Sequence, residues 1–334
     1  MKGAKFTFTV RALPPREHAV QANPSELATK IRIGTRGSPL ALWQAEETRR
    51  CLMAAHGLSE AAFEIRVIKT SGDRIQDRPL SEAGGKGLFT KEIDEALIAH
   101  EIDIAVHSLK DLPTVLPAGF AIAAVLPRHD VRDAFVSLKH ASIAALPKGA
   151  TLGTSSLRRQ AQVRALRPDL VVVGFRGNVQ TRLQKLADGV ADATMLACAG
   201  LDRLGLSDRI TTRIETTEML PACAQGAIAV VAHANDERTM RQLAALDHEA
   251  SRLCVAAERA FLAVLDGSCR TPIAGLATLS GGTLTLRGQV LSPDGRRSLE
   301  CLHEGTASAA FVIGERAGAD LLTRGAAKLF DGSI

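Results

Sequence analysis

Apolar and polar positions alternate along this chain in two rhythms, one with a strand's period and one with a helix's, and they take turns from Ile31 onward. "IRIGT" (31–35) is a short apolar run that predicts a buried strand, and "SPLALWQAEETRRCLMAAHG" (38–57) has the spacing of the helix that follows it. Ser38 is placed to cap that helix, Pro39 suits its first turn and Gly57 its end. "FEIRVIKT" (63–70) predicts the next strand. "GGKGLFTKEIDEALIAHEI" (84–102) predicts a glycine loop and then a helix with Leu88, Phe89, Ile93, Leu97 and Ile98 on one stripe, and "DIAVHS" (103–108) a third strand. Strand–helix alternation of this kind predicts a parallel sheet.

The same plan returns further on. "ATLGTSSLRRQAQVRAL" (150–166) is a strand, a Gly-Thr-x-Ser turn and a helix; "LVVVGFRG" (170–177) is a strand; "NVQTRLQKLADG" (178–189) is a helix opened by Asn178 and closed by Gly189; "ADATMLA" (191–197) answers "DIAVHS". Two α/β lobes of one plan are expected, residues 31–127 and 128–224. "AIAVVAHA" (227–234) is a strand without a helix of its own, so about 225–245 is assigned back to the first lobe. From residue 246 the style changes. "DHEASRLCVAAERAFLAVLDG" (247–267) is one helix, followed by short strands broken at Gly281-Gly282 and Asp294-Gly295, both hairpin signals, and by a closing helix over roughly 308–330. Residues 246–334 are therefore read as a small α+β domain and residues 1–30 as a leader outside the folded part.

Composition narrows the function. The 334 residues are 46% hydrophobic and 23% charged, in the ordinary globular range. Aromatic content is 3%, with one Trp and no Tyr, which argues against a nucleic-acid binder that stacks bases on aromatic platforms. The net charge of +5 fits an anionic partner. The six cysteines form no CxxC pair and no histidine lies at zinc spacing, so a reduced, cytoplasmic, metal-free protein is expected. No apolar run reaches the roughly 18 residues of a membrane helix, and residues 1–30 lack the apolar core of a secretory signal.

In open parallel sheets the ligand lies beyond the carboxyl ends of the strands. Arg36 and Ser38 follow the first strand, and Lys110 and Asp111 follow "DIAVHS". Thr154, Ser155, Ser156, Arg158 and Arg159 follow the first strand of the second lobe; Arg176 follows its second strand, and Arg182 lies one turn into the next helix. Guanidiniums, hydroxyls and helix N-termini gathered at one rim make a site for a polyanion. Asp111 is the exception, a carboxylate able either to steady a cation formed on the substrate or merely to cap the turn before Pro113. "GGKG" lacks the Walker spacing and reads instead as a flap whose Lys86 can reach an anion. His107 and His129 read as structural, and Cys198 and Cys254 as core. Cys269, in "DGSCRTPIAG", is different: a glycine-rich loop and the adjacent Arg270 favour its thiolate.

"TRGSPLALWQ", "GGKGLFTKEID", "DIAVHSLKDLPT", "DAFVS", "GTSSLRRQAQ", "FRGNVQTRL" and "AERAFLAVLDGSCRTPI", in that order, resemble the hydroxymethylbilane synthase (porphobilinogen deaminase) family from about Ile31 to near the end. The resemblance implies two lobes like those of type II periplasmic binding proteins plus a cofactor-attachment domain. It implies an enzyme that condenses four porphobilinogen molecules head to tail with loss of ammonia, then releases hydroxymethylbilane for tetrapyrrole biosynthesis. Its cofactor is a dipyrromethane held by a thioether, at the position that matches Cys269 here. Asp111 matches the family's catalytic aspartate, and Arg36, Ser38, Lys110, Thr154, Ser155, Ser156, Arg158, Arg159, Arg176, Gly177 and Arg182 match its cofactor- and substrate-binding positions. A monomer is implied, without nucleic acid or membrane. This sequence departs from the family at Arg270 and at Ala224-Gln225-Gly226, where a Gly-Gln-Gly run is commoner. The rival reading is a non-catalytic anion-binding protein or sensor on the same two lobes.

Overall fold

A computed structural model of the chain describes residues 30–74, 89–265 and 271–330. The first part runs β1 (Ile31–Thr35), α1 (Pro39–His56), β2 (Phe63–Val67), the short α2 (Ser71–Arg74), α3 (Lys91–Ile98), β3 (Ile104–Ser108) and β4 (Phe120–Val125). It continues through β5 (Asp133–Val136), β6 (Thr151–Gly153), α4 (Leu157–Leu166), β7 (Val171–Val173), α5 (Val179–Ala187), β8 (Ala193–Ala197), α6 (Cys198–Arg203) and β9 (Thr212–Ile214). Then follow β10 (Ile228–His233), α7 (Glu237–Ala244), α8 (Glu249–Val264), β11 (Ile273–Ser280), β12 (Thr283–Leu291), β13 (Ser298–Thr306), α9 (Ala310–Thr323) and α10 (Ala327–Phe330).

The class is α/β, with two lobes of one plan and a smaller α+β domain. The sheet orders are β2-β1-β3-β10-β4 and β7-β6-β8-β5-β9, the same arrangement twice. The helix-linked strands pair in parallel in each lobe, as their alternation predicts, whereas β10 with β3 and β4, and β5 with β8 and β9, pair antiparallel. Four strands of each sheet thus run in one direction, with β10 and β5 the single reversed members, so the sheets are mainly parallel as expected. The antiparallel members are strands that no helix announces, which is why periodicity did not give their direction.

Local chemistry sets the element ends. Ser38 accepts from the Ala41 amide at the start of α1, and Gly57 closes that helix at φ +65°. Ser156 caps α4 and Asn178 caps α5. β3 is buried on both faces. Ile104 and Val106 pack with Ile33, Leu52 and Val230, and Ala105 packs on the other side with Ile93, Leu97 and Val231. In α3 Ile93 and Leu97 are buried, but Ile98 is exposed and Phe89 precedes the helix. The expected closing helix is two helices, α9 and α10, separated at Gly325 with φ +94°.

In the third domain β11, β12 and β13 form an antiparallel meander backed by α8 and α9. Gly281 and Gly282, at φ +56° and +81°, make its first hairpin turn. Gly314 and Gly318 let α9 lie directly on α8, since a Cβ at 314 would stand 2.1 Å from the Ala257 carbonyl oxygen. The domain grips the crossover between the lobes. Glu258 on α8, with no exposed surface, accepts from Arg128 Nη1 and Nη2 (2.7 and 3.0 Å) and from the amides of Ala224 and Ala277. Arg128 Nε donates to the Gln225 carbonyl oxygen, and the His129 amide to that of Gly226.

The unusual Ala224-Gln225-Gly226 run lies at this crossing. Ala224 is held at φ +61°, the left-handed conformation that a glycine adopts without strain. Gly226 is at φ +85°, and a Cβ there would stand 2.6 Å from the His129 carbonyl oxygen. Gly226→Ala is expected to destabilise the fold by at least about 1–3 kcal/mol, the order of one strained backbone site, whereas Ala224→Gly should stay within about 1 kcal/mol of the parent. Urea unfolding of the two variants checks the contrast.

Candidate functional site

The site is assembled where strand ends of the two lobes meet. On the first lobe β3 ends at Ser108 and turns once through Lys110 to Asp111, both open to water. Gln44 Nε2 of α1 donates to Ser108 Oγ at 2.8 Å. Arg36, after β1, pairs with Asp73 through Nε (3.2 Å) and Nη2, and its guanidinium lies 4.3 Å from the centre of the Phe89 ring. Burial works against the Asp73 anion, yet Arg36 and Thr70 together hold its carboxyl below the ordinary range.

On the second lobe the organising group is Asp133, at the start of β5 and 1% exposed. Arg158 bonds it through Nη1 (2.7 Å) and Nη2 (3.2 Å), and Arg159 through Nε (3.1 Å) and Nη2 (2.7 Å). Arg158 Nη1 also donates to Leu220 O and Gln162 Oε1, and Arg159 Nη1 to Met195 O. The two guanidiniums are 4% and 5% exposed. Burial alone would raise the Asp133 carboxyl, but its two arginine partners drive it far below the ordinary carboxylate range. One anion shared by two cations leaves one positive charge over, buried at the base of the cleft.

Gln225 ties this cluster to the first lobe. It has no exposed surface; its Nε2 donates to Asp133 Oδ1 (2.9 Å) and Val131 O (2.8 Å), and its Oε1 accepts from Lys110 Nζ at 3.1 Å. Enclosure in the cleft, together with Arg159, pulls the Lys110 ammonium below its ordinary value, while Asp111 and Asp133 oppose the shift.

Thr154, Ser155 and Ser156 line the turn before α4. Thr154 is buried and accepts from the Ser156 amide, and Ser155 Oγ accepts from the Phe175 amide. Gly177, at φ +122°, leaves room for Thr181, which a Cβ there would approach to 2.6 Å. Its carbonyl oxygen fixes Arg182 Nε at 2.9 Å. Burial, then the proximity of Arg159 and Arg176, push the Arg182 guanidinium down to about 10, and Asp111 counters them. Asp111 of one lobe thus lies within electrostatic reach of Arg182 of the other, and Lys110 feels both Asp111 and Arg159. Cys269 and Lys86 lie outside the described residues.

Sequence reasoning did not find Asp133, Gln225 or Gln44. "DAFVS" and the Gln225-Gly226 pair were visible as motifs, but nothing in them told which side chain turned inward. Asp133→Asn removes the one anion between two buried cations and is expected to destabilise the protein by about 3–5 kcal/mol. Because the folded-state carboxyl is depressed, its contribution is fully present above the unfolded carboxylate range and is lost as pH falls. Denaturant unfolding from pH 7 down to pH 3 should therefore show a steeper acid loss in the parent than in Asp133→Asn.

Fold and site define a class: a two-lobed α/β protein with a cation-rich cleft at the strand ends, faced by one carboxylate and clamped by a third domain. Residues 31–241 match the family described as porphobilinogen deaminase, dipyromethane cofactor binding domain, and residues 252–323 the porphobilinogen deaminase C-terminal domain. The chain is 60% identical to a Paracoccus denitrificans porphobilinogen deaminase, over 91% of this chain and 97% of that protein. It is 52% identical to the chloroplastic porphobilinogen deaminase of Pisum sativum, over 96% and 88% of the two chains. Among solved structures, the methionine-binding protein MetQ aligns with 65% of this chain and 89% of its own at 12% identity, with a TM-score of 0.43. This chain belongs to the porphobilinogen deaminase family.

Proposed function

We propose that this chain is a hydroxymethylbilane synthase, a transferase that condenses four porphobilinogen molecules head to tail onto a dipyrromethane primer with loss of ammonia, then releases hydroxymethylbilane. The observation that carries the reading is Asp111, one carboxylate set against cations of the opposite lobe in a chain of this family. A non-catalytic anion binder needs the cations but has no use for that carboxylate.

The donor set fits the cofactor. A dipyrromethane carries four carboxylate arms. Arg158 Nε is buried without a hydrogen-bond partner, and the Lys110 ammonium bonds Gln225 through one proton and keeps others to offer. Lys110, Arg176, Arg182 and the hydroxyls of Thr154, Ser155 and Ser156 would hold those arms, with Arg36 and Ser38 serving the incoming substrate. Cys269 would supply the thioether. When bound, the cofactor supplies the free pyrrole terminus on which the chain grows.

The chain's own residues do the rest by electrostatics and placement. Loss of ammonia from porphobilinogen leaves an azafulvenium cation, and a fixed carboxylate beside it lowers the barrier to its formation. Asp111 is carried on a short turn braced by the buried Leu109, so its position is set before substrate arrives. The charge left over in the Asp133 cluster attracts carboxylate arms from within the second lobe. The described cysteines are free thiols, in keeping with a reducing compartment, and no helix among the described residues is long and apolar enough to cross a membrane. A cytoplasmic monomer is proposed, since one chain supplies all the groups named.

The intact mass of purified protein should exceed the sequence mass by two pyrrole units, and Cys269→Ala should abolish the excess; a fully active protein of unmodified mass would defeat the reading. Asp111→Ala should keep that mass while turnover falls by roughly 10²–10³, the scale of losing one electrostatic stabiliser. Arg182→Ala should lower kcat/KM for porphobilinogen roughly tenfold to a hundredfold, the range of one charge-assisted hydrogen bond, measured at limiting substrate.

A further inference from the structure

Away from the cleft, the third domain brings a thiol, an imidazole and a carboxylate to one point. Cys301 Sγ, a ring nitrogen of His303 and a carboxylate oxygen of Asp320 lie within 4.8 Å of one another. Along β13 half-buried and exposed residues alternate, so Cys301 and His303 share the inner face while Leu302 between them faces water. Cys301 Sγ reaches the Ala317 carbonyl oxygen of α9 at 3.8 Å, and Asp320 stands about one turn beyond Ala317 on that helix. Ile313 and Ala317 of α9 belong to the core that Cys301 packs against, and Gly314 and Gly318 seat the same helix on α8, so packing fixes how far the helix stands from the strand.

These three groups do not satisfy one another. His303 Nε2 is 3.6 Å from Asp320 Oδ2, too long for a hydrogen bond, and the thiol has only its long contact to Ala317. Arg324 Nη1 holds Asp320 through Oδ2 (3.1 Å) and is itself anchored on the Glu300 carbonyl oxygen (2.7 Å); among the described residues nothing bonds Oδ1. Donor atoms around one tetrahedral ion, at bond lengths of about 2.0–2.3 Å, stand roughly 3.3–3.8 Å apart. The triad is therefore about 1 Å wider than an ion would draw it, a gap that rotation of the half-buried His303 and Asp320 side chains can close.

We propose that Cys301, His303 and Asp320 form a site for a borderline-soft divalent cation of the zinc type, with a fourth position open to water. Thiolate and imidazole select such an ion over Mg²⁺ or Ca²⁺, which take oxygen donors. Burial, then Asp320, push the Cys301 thiol up to about 11, so without an ion sulfur keeps its proton. On binding, that proton leaves to solvent, and the dication takes a thiolate, the lone pair of a neutral imidazole and a carboxylate oxygen, with no change of oxidation state. Arg324 stays behind the carboxylate as its outer partner. The ion ties the edge strand β13 to α9 and so braces the domain that carries Glu258. No linear zinc spacing announces the site, because Asp320 arrives from a different element. The inference is independent of the function proposed above.

The test titrates Zn²⁺ into the full-length protein, stripped of adventitious metal by chelator and dialysis, and repeats the titration with Co²⁺, whose absorption reports sulfur ligation. The parent should bind Zn²⁺, its Tm should rise as Zn²⁺ is added, and Co²⁺ should give a sulfur-to-metal charge-transfer band. Cys301→Ser should lose that band. Cys301→Ser and His303→Ala should each weaken Zn²⁺ binding at least roughly tenfold, the loss that even an outer partner of a ligand brings. A parent that binds no Zn²⁺, or a Zn²⁺ affinity that survives in either variant, would overturn the site, the second outcome placing the ion on other groups. Should either variant fold poorly, judged by its Tm in chelator, Asp320→Asn decides. It changes a half-exposed helix position, and an unchanged Zn²⁺ affinity there would equally overturn the proposal.

Discussion

Two guanidiniums buried against one carboxylate cannot be neutral, and the cleft takes its character from that imbalance. Asp133 makes it possible to bury Arg158 and Arg159 at all, because an unpaired guanidinium in the interior is prohibitively costly. Having done so, it leaves a surplus positive charge that water cannot solvate directly and that no side-chain motion can withdraw. Arg182, at the edge of the same field, feels it as a guanidinium pushed below its ordinary value. A polyanion entering the cleft therefore meets a potential built into the core of the second lobe, rather than a few mobile surface side chains.

The same carboxylate reaches the first lobe through Gln225. That amide has one acceptor and two donor protons, and its donor side serves Asp133 and the backbone at Val131 while its acceptor side serves Lys110. A neutral amide suits the position because it can face an anion on one side and a cation on the other without a charge of its own. Lys110 and Asp111 are adjacent in the chain, so the group that fixes one bears on the placement of the other.

Much of the architecture was legible in the sequence because it rests on local rules. Ser38, Ser156 and Asn178 announce their helices by capping chemistry, and Gly281-Gly282 announces a turn that requires positive φ. Strands fed by helices were readable as parallel partners. β4, β5 and β9 were not, since a short apolar run carries no information about the direction of its neighbour. The site was legible in part for a related reason. Motifs mark which stretches lie at strand ends, but a charge that turns inward, such as Asp133, looks in sequence like any acid in a strand. Its role appears only when Arg158 and Arg159 arrive from 25 and 26 residues away. His107 was read as structural, and it is buried at the end of β3, although its Nε2 has no hydrogen-bond partner.

Glu258 bears on how such a protein can be recombined. Its carboxylate sits in the C-terminal module, yet its counter-ion, Arg128, belongs to the chain joining the lobes, and two backbone amides from either side complete its shell. A chimera that transplants the C-terminal module onto a different pair of lobes must bring along an arginine and an amide in register. Otherwise it traps a naked anion at the graft. The junction that looks like a natural cut point in the primary structure is, electrostatically, the seam least suited to cutting.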